Sequence, residues 1–417
     1  MEYGLIGEKL SHSFSPLIHS MIGNYDYELC EIQKSDIETF LNKKDFKGIN
    51  VTVPYKQTVI PFLDYIDPPA EKIGAVNTVV NRGGKLYGYN TDYYGLKALV
   101  IKCCGNISLK DKDAMVFGTG GTSKTAFNVL KDLGCRNVYI LSRKPSGSQI
   151  GYNEAPVTAK DAVIAVNTTP AGMFPNTDGC ATDISLFKNL KVAVDAVYNP
   201  LRTDLVLNSQ KLGLSSKGGL YMLVSQAVMA SHYFFDKDYN DGLAADIYGT
   251  ILNRLQNIVL TGMPACGKST IGKVLAAKTG KDFIDTDELI VEKTGKSINE
   301  IFADGGENGF RKIESEIIAE VSLKNNCVIA TGGGAVLNKD NVRRLAHNGV
   351  ICFLDRPIEQ LLPTDDRPLA NSAESIKKRY NERIGIYNTT CDFSVPVISP
   401  DVTADSIIKI YKNIKEI

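Results

Sequence analysis

The stretch Gly262-Met263-Pro264-Ala265-Cys266-Gly267-Lys268-Ser269-Thr270 limits what this chain can fold into more than any other. The apolar run Ile258-Val259-Leu260 before it reads as a buried parallel strand, and Ile271 to Lys278 after it reads as a helix. Strand, glycine loop and helix together are the setting a phosphate-binding loop requires. Gly262 and Gly267 let the backbone bend so that its N–H groups converge on phosphate oxygens. Lys268 can reach the β- and γ-phosphates, and the Ser269 hydroxyl can ligate Mg²⁺. Cys266 and Thr270 complete the nucleotide-binding candidates. The alternative is a chance glycine-lysine turn ahead of a helix, which the intact context argues against.

A chain of 417 residues exceeds one core and implies two to three domains. Lysine plus arginine and aspartate plus glutamate each number 47, with no basic tract in either half, so nucleic acid is not an expected partner. No apolar run reaches membrane-spanning length, and Met1 to Gly7 carries no charged-then-apolar leader, so neither membrane nor export is expected. The nine cysteines show no Cys-x-x-Cys spacing, and Cys103 and Cys104 are adjacent. Reduced thiols in the cytoplasm are the simplest account. His12, His19, His232 and His347 form no i, i+4 pair, which argues against a dedicated metal site. The sequence specifies no oligomeric state.

Tyr3 to Ile6 reads as a short strand, followed by Ser11-His12-Ser13-Phe14-Ser15-Pro16 and a helix over Leu17 to Ile22. Ser13 and Ser15 can face one ligand, or simply cap the helix. In Gly48-Ile49-Asn50-Val51-Thr52-Val53-Pro54-Tyr55-Lys56, an alternating strand ends at Pro54 and places Lys56 at a strand-to-loop junction. Gly74-Ala75-Val76-Asn77-Thr78 and Gly88-Tyr89-Asn90-Thr91-Asp92 each carry Asn-Thr beside a short strand, singly an ordinary turn signal. Together, Ser13, Ser15, Thr52, Asn77 and Asp92 suit a polyhydroxylated substrate, with Lys56 and Asp92 as a charged pair.

On these motifs, residues 1–250 resemble shikimate dehydrogenase. The resemblance implies that Ser13, Ser15, Thr52, Asn77 and Asp92 hold shikimate and that Lys56 and Asp92 are catalytic. An ammonium beside the C3 oxygen of 3-dehydroshikimate can stabilise the alkoxide that forms when hydride arrives. Either the lysine or a bound water delivers the proton.

Ala114 to Phe117, the turn Gly118-Thr119-Gly120-Gly121-Thr122-Ser123, a helix over Lys124 to Leu133 and a strand over Asn137 to Leu141 form a βαβ unit. Gly118, Gly120 and Gly121 aim a glycine turn at a pyrophosphate. Ser142-Arg143-Lys144 stands where an NAD site places an acid, so the basic pair favours NADP(H). The resemblance continues through Val166 to Pro170, Asp195 to Pro200 with Tyr198, and Gly219 to Gln226; it implies that Gln226 and Tyr198 bind substrate and Gly219 lies at the cofactor. It departs at Tyr221, which replaces a second glycine, and over Pro145 to Ala165, too short and polar for the usual helix.

Leu243 to Leu255 is a helical pattern, and strand Ile258–Leu260 follows with no Gly/Pro-rich tether. Phe283-Ile284-Asp285-Thr286-Asp287 places two acids at a strand's carboxyl end. Gly309 to Glu314 starts or lies within a helix, Val328 to Thr331 runs into Gly332-Gly333-Gly334, Asp365-Asp366-Arg367-Pro368 lies in a polar loop, and Arg383 precedes Tyr387 on a helix. Singly, each arginine reads as a surface ion pair. As a set they resemble shikimate kinase over residues 257–417. That resemblance implies shikimate held by Asp287, Arg311, Gly333 and Arg383, Mg²⁺ held by Ser269 and Asp285, and ATP in the loop. Lys268 and Arg367 would act on the transferring phosphoryl group, and Asp287 would orient or deprotonate the 3-hydroxyl. Pro363 stands where the family often has an arginine against adenine.

The expected architecture is α/β throughout. A shikimate-binding domain spans 1–100 with return helices at about 220–252, a Rossmann-type NADP domain 101–219, and a P-loop kinase domain with a parallel sheet flanked by helices 256–417. The two resemblances are consecutive steps: reduction of 3-dehydroshikimate, then phosphorylation of shikimate. The rivals are a quinate/shikimate dehydrogenase fused to a small-polyol kinase, and a sensor with a degenerate dehydrogenase half.

Overall fold

The computed structural model describes residues 1–10, 13–240, 242–361 and 373–414. The chain forms two compact units, Met1–Thr250 and Ile251–Ile417.

The first unit contains two six-stranded sheets. One is built from β1 (Tyr3–Gly7), β2 (Glu28–Glu31), β3 (Gly48–Val51), β4 (Tyr65–Ile66), β5 (Thr78–Arg82) and β6 (Lys85–Tyr89), in the order β2-β1-β3-β5-β6-β4. β1 pairs in parallel with β2 and β3, and β5 turns antiparallel against β3 and β6. The β5–β6 hairpin closes through Gly83 and Gly84, both at positive φ (61° and 84°), as a two-residue turn matching strand twist requires. Ile6, Ile49, Val51, Val79 and Leu86 fill the core beneath it.

The second sheet runs β7 (Asp113–Phe117), β8 (Val138–Ser142), β9 (Ile150–Gly151), β10 (Ala162–Asn167), β11 (Val192–Asp195) and β12 (Ser215–Lys217), in the order β12-β11-β10-β7-β8-β9. Every pairing is parallel. This is the doubly wound dinucleotide-fold order, with the reversal between β7 and β10. β7, β10 and β11 are almost wholly buried, so they read as continuous apolar runs rather than alternating ones. The crossover after β8 is short, as its sequence implied: it holds only β9 and a four-residue helix, Ala155–Thr158.

Helix Thr91–Cys104 starts at Asn90, whose side chain accepts from the Tyr93 amide. It packs against helix Leu220–Phe235 so closely that a β-carbon on Gly95 would lie 2.6 Å from the Met222 carbonyl oxygen. A glycine here lets the two helices meet and fixes Asp92 relative to Gln226.

The second unit has one parallel sheet, β13 (Asn257–Thr261), β14 (Asp282–Asp285), β15 (Cys327–Ala330), β16 (Gly349–Asp355) and β17 (Phe393–Pro396), in the order β14-β15-β13-β16-β17. β13 is central, with later strands added on both sides, so its carboxyl end is a topological switch point. The phosphate loop leaves from there into helix Lys268–Thr279.

Three helices begin earlier than their apolar patterns: at Ser15 instead of Leu17, Gly121 instead of Lys124, and Lys268 instead of Ile271. Their first turns carry small and polar residues, which periodicity does not register. The expected placement of both acids at a strand end is corrected for one. Asp285 ends β14 and caps helix Thr286–Thr294, whereas Asp287 lies in that helix's first turn.

Candidate active sites

In the first unit, the expected substrate residues converge. Ser13, Ser15, Thr52, Lys56, Asn77, Asp92, Tyr198 and Gln226 line one cavity of about 270 Å³, with Gly219 at its wall. Lys56 Nζ donates to Asp92 Oδ2 at 2.5 Å, and these are the charged residues among those lining it. Each side chain is set by local structure. Ser15 opens helix Ser15–Ile22 behind the N-cap residue Phe14, with no side-chain cap, and its amide donates to Ser13 Oγ at 3.2 Å. Thr52 is anchored by its amide donating to the Ile6 carbonyl. Asn77 Oδ1 accepts from the Thr91 amide at 2.6 Å, tying it to the start of the helix that carries Asp92. Gln226 Nε2 donates to the Leu223 carbonyl, leaving Oε1 to accept from the Thr91 hydroxyl.

Asn50 and Thr122 also line the cavity and were not singled out from sequence. The signal for Asn50 was present: an amide inside an otherwise apolar strand needs partners. Its Oδ1 accepts from Tyr27 Oη at 2.7 Å, and its Nδ2 donates to Thr78 Oγ1 at 2.9 Å. His19 stacks on Tyr27 at 3.8 Å behind this wall, and burial lowers its pKa to about 3, so it stays neutral. It belongs to the packing.

The glycines of the β7 turn divide into two kinds. Gly118 sits at φ 102°, and a β-carbon there would lie 2.8 Å from Thr169 Cγ2, so protein packing alone requires glycine. Gly120 and Gly121 face open space, with nothing within 4 Å of a β-carbon at either. The protein does not need them bare, whereas a pyrophosphate approaching the backbone would. Ser142 is buried, its Oγ accepting from the Lys144 amide at 3.1 Å, while Arg143 and Lys144 are exposed. These residues fit a phosphorylated dinucleotide. A β-carbon on Gly219 would lie 2.2 Å from the Ala196 carbonyl oxygen, so this glycine holds the Asp195–Pro200 turn close. Asp195 is fully enclosed, accepting from Asn167, Thr203 and the Val197 amide; burial nonetheless raises its pKa to about 6. Tyr221 packs edge-on against Tyr248 at 5.4 Å, with Lys102 over its ring.

In the second unit, Gly262 (φ 150°) and Gly267 (φ 100°) supply the two loop bends. Ala265 adds a third positive φ, 62°, which a side chain disfavours. Lys268 Nζ folds over the loop, donating to the Gly262 and Met263 carbonyls at 3.0 and 2.9 Å. No side chain caps helix Lys268–Thr279, so its first turn is presented to an anion. Cys266 differs from expectation. Its thiol is in the core and its amide donates to the Met263 carbonyl, so it shapes the loop from within. Thr270 is exposed beyond it. Ser269 Oγ donates to Asp285 Oδ2 at 2.5 Å, bringing together the two expected Mg²⁺ ligands. A hydroxyl and a carboxylate are hard oxygen donors that suit Mg²⁺, with phosphate oxygens and water completing its shell.

Beside the loop, each glycine of 332–334 makes room for a different neighbour. A β-carbon on Gly332 would lie 2.6 Å from Glu314 Oε1 and 2.8 Å from Asp287 Oδ1; on Gly333, 2.8 Å from Pro264 Cδ; on Gly334, 2.1 Å from Arg311 Nη2. Arg383 Nη1 and Tyr387 Oη both bond the Gly333 carbonyl, at 3.3 and 2.5 Å. Asp287, Arg311, Gly333 and Arg383 therefore meet at one strand end. Arg311 Nη1 donates to Glu314 Oε2 at 2.7 Å, and burial raises the Glu314 pKa, with Arg311 opposing the shift. Glu314 was not assigned a role from sequence, although its i, i+3 spacing from Arg311 announces the pair. Arg367 and Pro363 lie outside the described residues.

The comparisons agree with both halves. Residues 5–79 match the family model "Shikimate dehydrogenase substrate binding domain", and residues 264–411 match "Shikimate kinase". A shikimate dehydrogenase (NADP(+)) of Clostridium beijerinckii is 35% identical over 269 residues, covering 61% of this chain and 99% of that protein. A solved shikimate dehydrogenase from Peptoclostridium difficile is 36% identical, with TM-score 0.53 over 60% of this chain and 98% of that one. A solved chorismate mutase/shikimate 5-dehydrogenase fusion protein from Clostridium acetobutylicum is 32% identical, with TM-score 0.56 over 60% of this chain and 96% of that one. The chain belongs to the shikimate dehydrogenase family through its first unit and carries a shikimate kinase domain in its second.

Proposed function

We propose that this chain carries out two consecutive reactions of the shikimate pathway: reduction of 3-dehydroshikimate to shikimate, and phosphorylation of shikimate at its 3-hydroxyl. The observation that carries the reading is the cavity holding the Lys56–Asp92 pair among neutral hydrogen-bonding groups, in a chain that also has a complete phosphate loop. When bound, NADPH supplies hydride and MgATP the transferable phosphoryl group. The Lys56 ammonium, oriented by Asp92, faces the oxygen on which charge develops, and no other described residue lining the pocket is charged. Ser13, Ser15, Thr52, Asn77, Tyr198 and Gln226 position the ring and its carboxylate. Gly118, Gly120, Gly121, Ser142, Arg143, Lys144 and Gly219 form the cofactor side.

In the second unit, Arg311 and Arg383 hold the substrate carboxylate against Gly333. Asp287 orients or deprotonates the attacking hydroxyl, Lys268 neutralises phosphate charge, and Ser269 with Asp285 holds Mg²⁺. By the family resemblance, Arg367, which lies outside the described residues, acts on the transferring phosphoryl group. We assign residues 1–100 with helices at about 220–252 to shikimate binding, 101–219 to NADP(H), and 256–417 to the kinase. Small-molecule substrates and a cytoplasmic setting go with this reading; among the described residues, no helix is long and apolar enough to cross a membrane.

The test is to give the purified chain 3-dehydroshikimate, NADPH and MgATP. NADPH oxidation with accumulation of shikimate 3-phosphate is expected. Absence of NADPH oxidation removes the first activity, and shikimate accumulating without its phosphate removes the second.

A further inference from the structure

Three observations converge on Arg356, the first residue beyond β16. β16 pairs along the full length of β13, from Asn257↔Gly349 to Thr261↔Phe353, so its carboxyl end emerges beside the phosphate loop. The contact is close. A β-carbon on Gly262 would lie 2.9 Å from the Leu354 carbonyl oxygen, and one on Gly267 would lie 3.9 Å from Arg356 Nη1. The guanidinium therefore sits against the second loop glycine, at the edge of the anion cradle that helix Lys268–Thr279 presents uncapped. Finally, among the described residues Arg356 Nε is buried without a hydrogen-bond partner and Arg356 joins no ion pair, although Asp355 adjoins it in sequence. A buried guanidinium N–H left unmade costs free energy that folding alone does not return. The loop's own lysine, by contrast, is fully engaged with loop carbonyls.

We infer that Arg356 is a nucleotide-binding residue, whose guanidinium donates to a phosphate oxygen of the nucleotide held by the loop. A guanidinium presents donors in a fixed fork suited to phosphate, and a site flanked by helix N–H groups and Lys268 leaves that charge uncompensated until an anion arrives. The inference rests on the kinase reading of the second unit and adds to it a cation outside the loop itself.

The test is equilibrium binding of ADP by calorimetry to the full chain and to Arg356→Met, which keeps the aliphatic stem and removes the charge. ADP affinity is expected to fall about tenfold or more, the size of one lost charge-assisted contact. Adenosine, which has the base and ribose without phosphates, should compete equally well in both proteins. The thermal midpoint of the nucleotide-free chain should not fall, and NADPH oxidation by the first unit should not move. Unchanged ADP affinity, or a parallel loss for adenosine, would overturn the inference. If the unaltered chain binds no ADP at all, the kinase reading fails and takes this inference with it.

Discussion

At the scale of single residues, backbone conformation and burial make claims that composition cannot. Ala265 occupies left-handed space at φ 62° within the phosphate loop. An L-side chain there costs roughly 1 kcal/mol, which glycine avoids at a smaller entropic cost in the unfolded chain. Ala265→Gly should therefore stabilise the second unit by up to about 1 kcal/mol, read as a raised denaturation midpoint. Asp195 makes the opposite kind of statement. Burial raises its pKa to about 6 from an ordinary value near 4, so the folded chain holds this proton more tightly than the unfolded one. Its contribution to stability is whole below pH 4 and is lost as pH rises to about 6. Asp195→Asn should flatten that part of the stability–pH curve for the first unit, as followed by urea unfolding between pH 4 and 7. A slope unaltered by the substitution would mean that another group titrates there.

At the scale of elements, legibility followed the physical signal. β7, β13 and β15 were readable because buried parallel strands are unbroken apolar runs bounded by glycine turns. Helix starts were not, because Ser15, Gly121 and Lys268 open helices with residues chosen for what their amides and side chains face. The break at Gly306 (φ 64°, ψ −168°) inside Ile298–Val321 was also missed, although the polar run with Gly305-Gly306 marks it. Most site residues were legible through motifs. Asn50 and Glu314 were passed over although each carried a signal, an amide within an apolar strand and an acid three residues after Arg311. The β7 turn belongs at this scale too. Gly120→Ala should leave the thermal midpoint of the first unit unchanged, because nothing lies within 4 Å of the added carbon, and should weaken NADP(H) binding at least tenfold by fluorescence titration. Equal loss of stability would show that the turn is bare for packing reasons.

At the scale of the whole molecule, the candidate residues fall into two sets, each complete within one unit. Among the described residues, the cavity around Lys56 is lined by residues between Leu5 and Gln226, and the phosphate-loop site draws on those after Gln256. Lys56→Ala should abolish NADPH oxidation and leave phosphorylation of added shikimate intact, and Lys268→Ala should do the reverse, each by about 100-fold or more as expected for removing a charge-stabilising group. If either change silenced both reactions, the two sites would share a component.

The run 332–334 carries a further consequence. Three successive positions are held to hydrogen by three separate tenants: a pair of carboxylates, a proline ring and a guanidinium. No one compensating change could admit a side chain at all three, so a randomised library across this strand end should return glycine at each position independently. The segment can drift only if the loop, the acid pair and the arginine are rebuilt together.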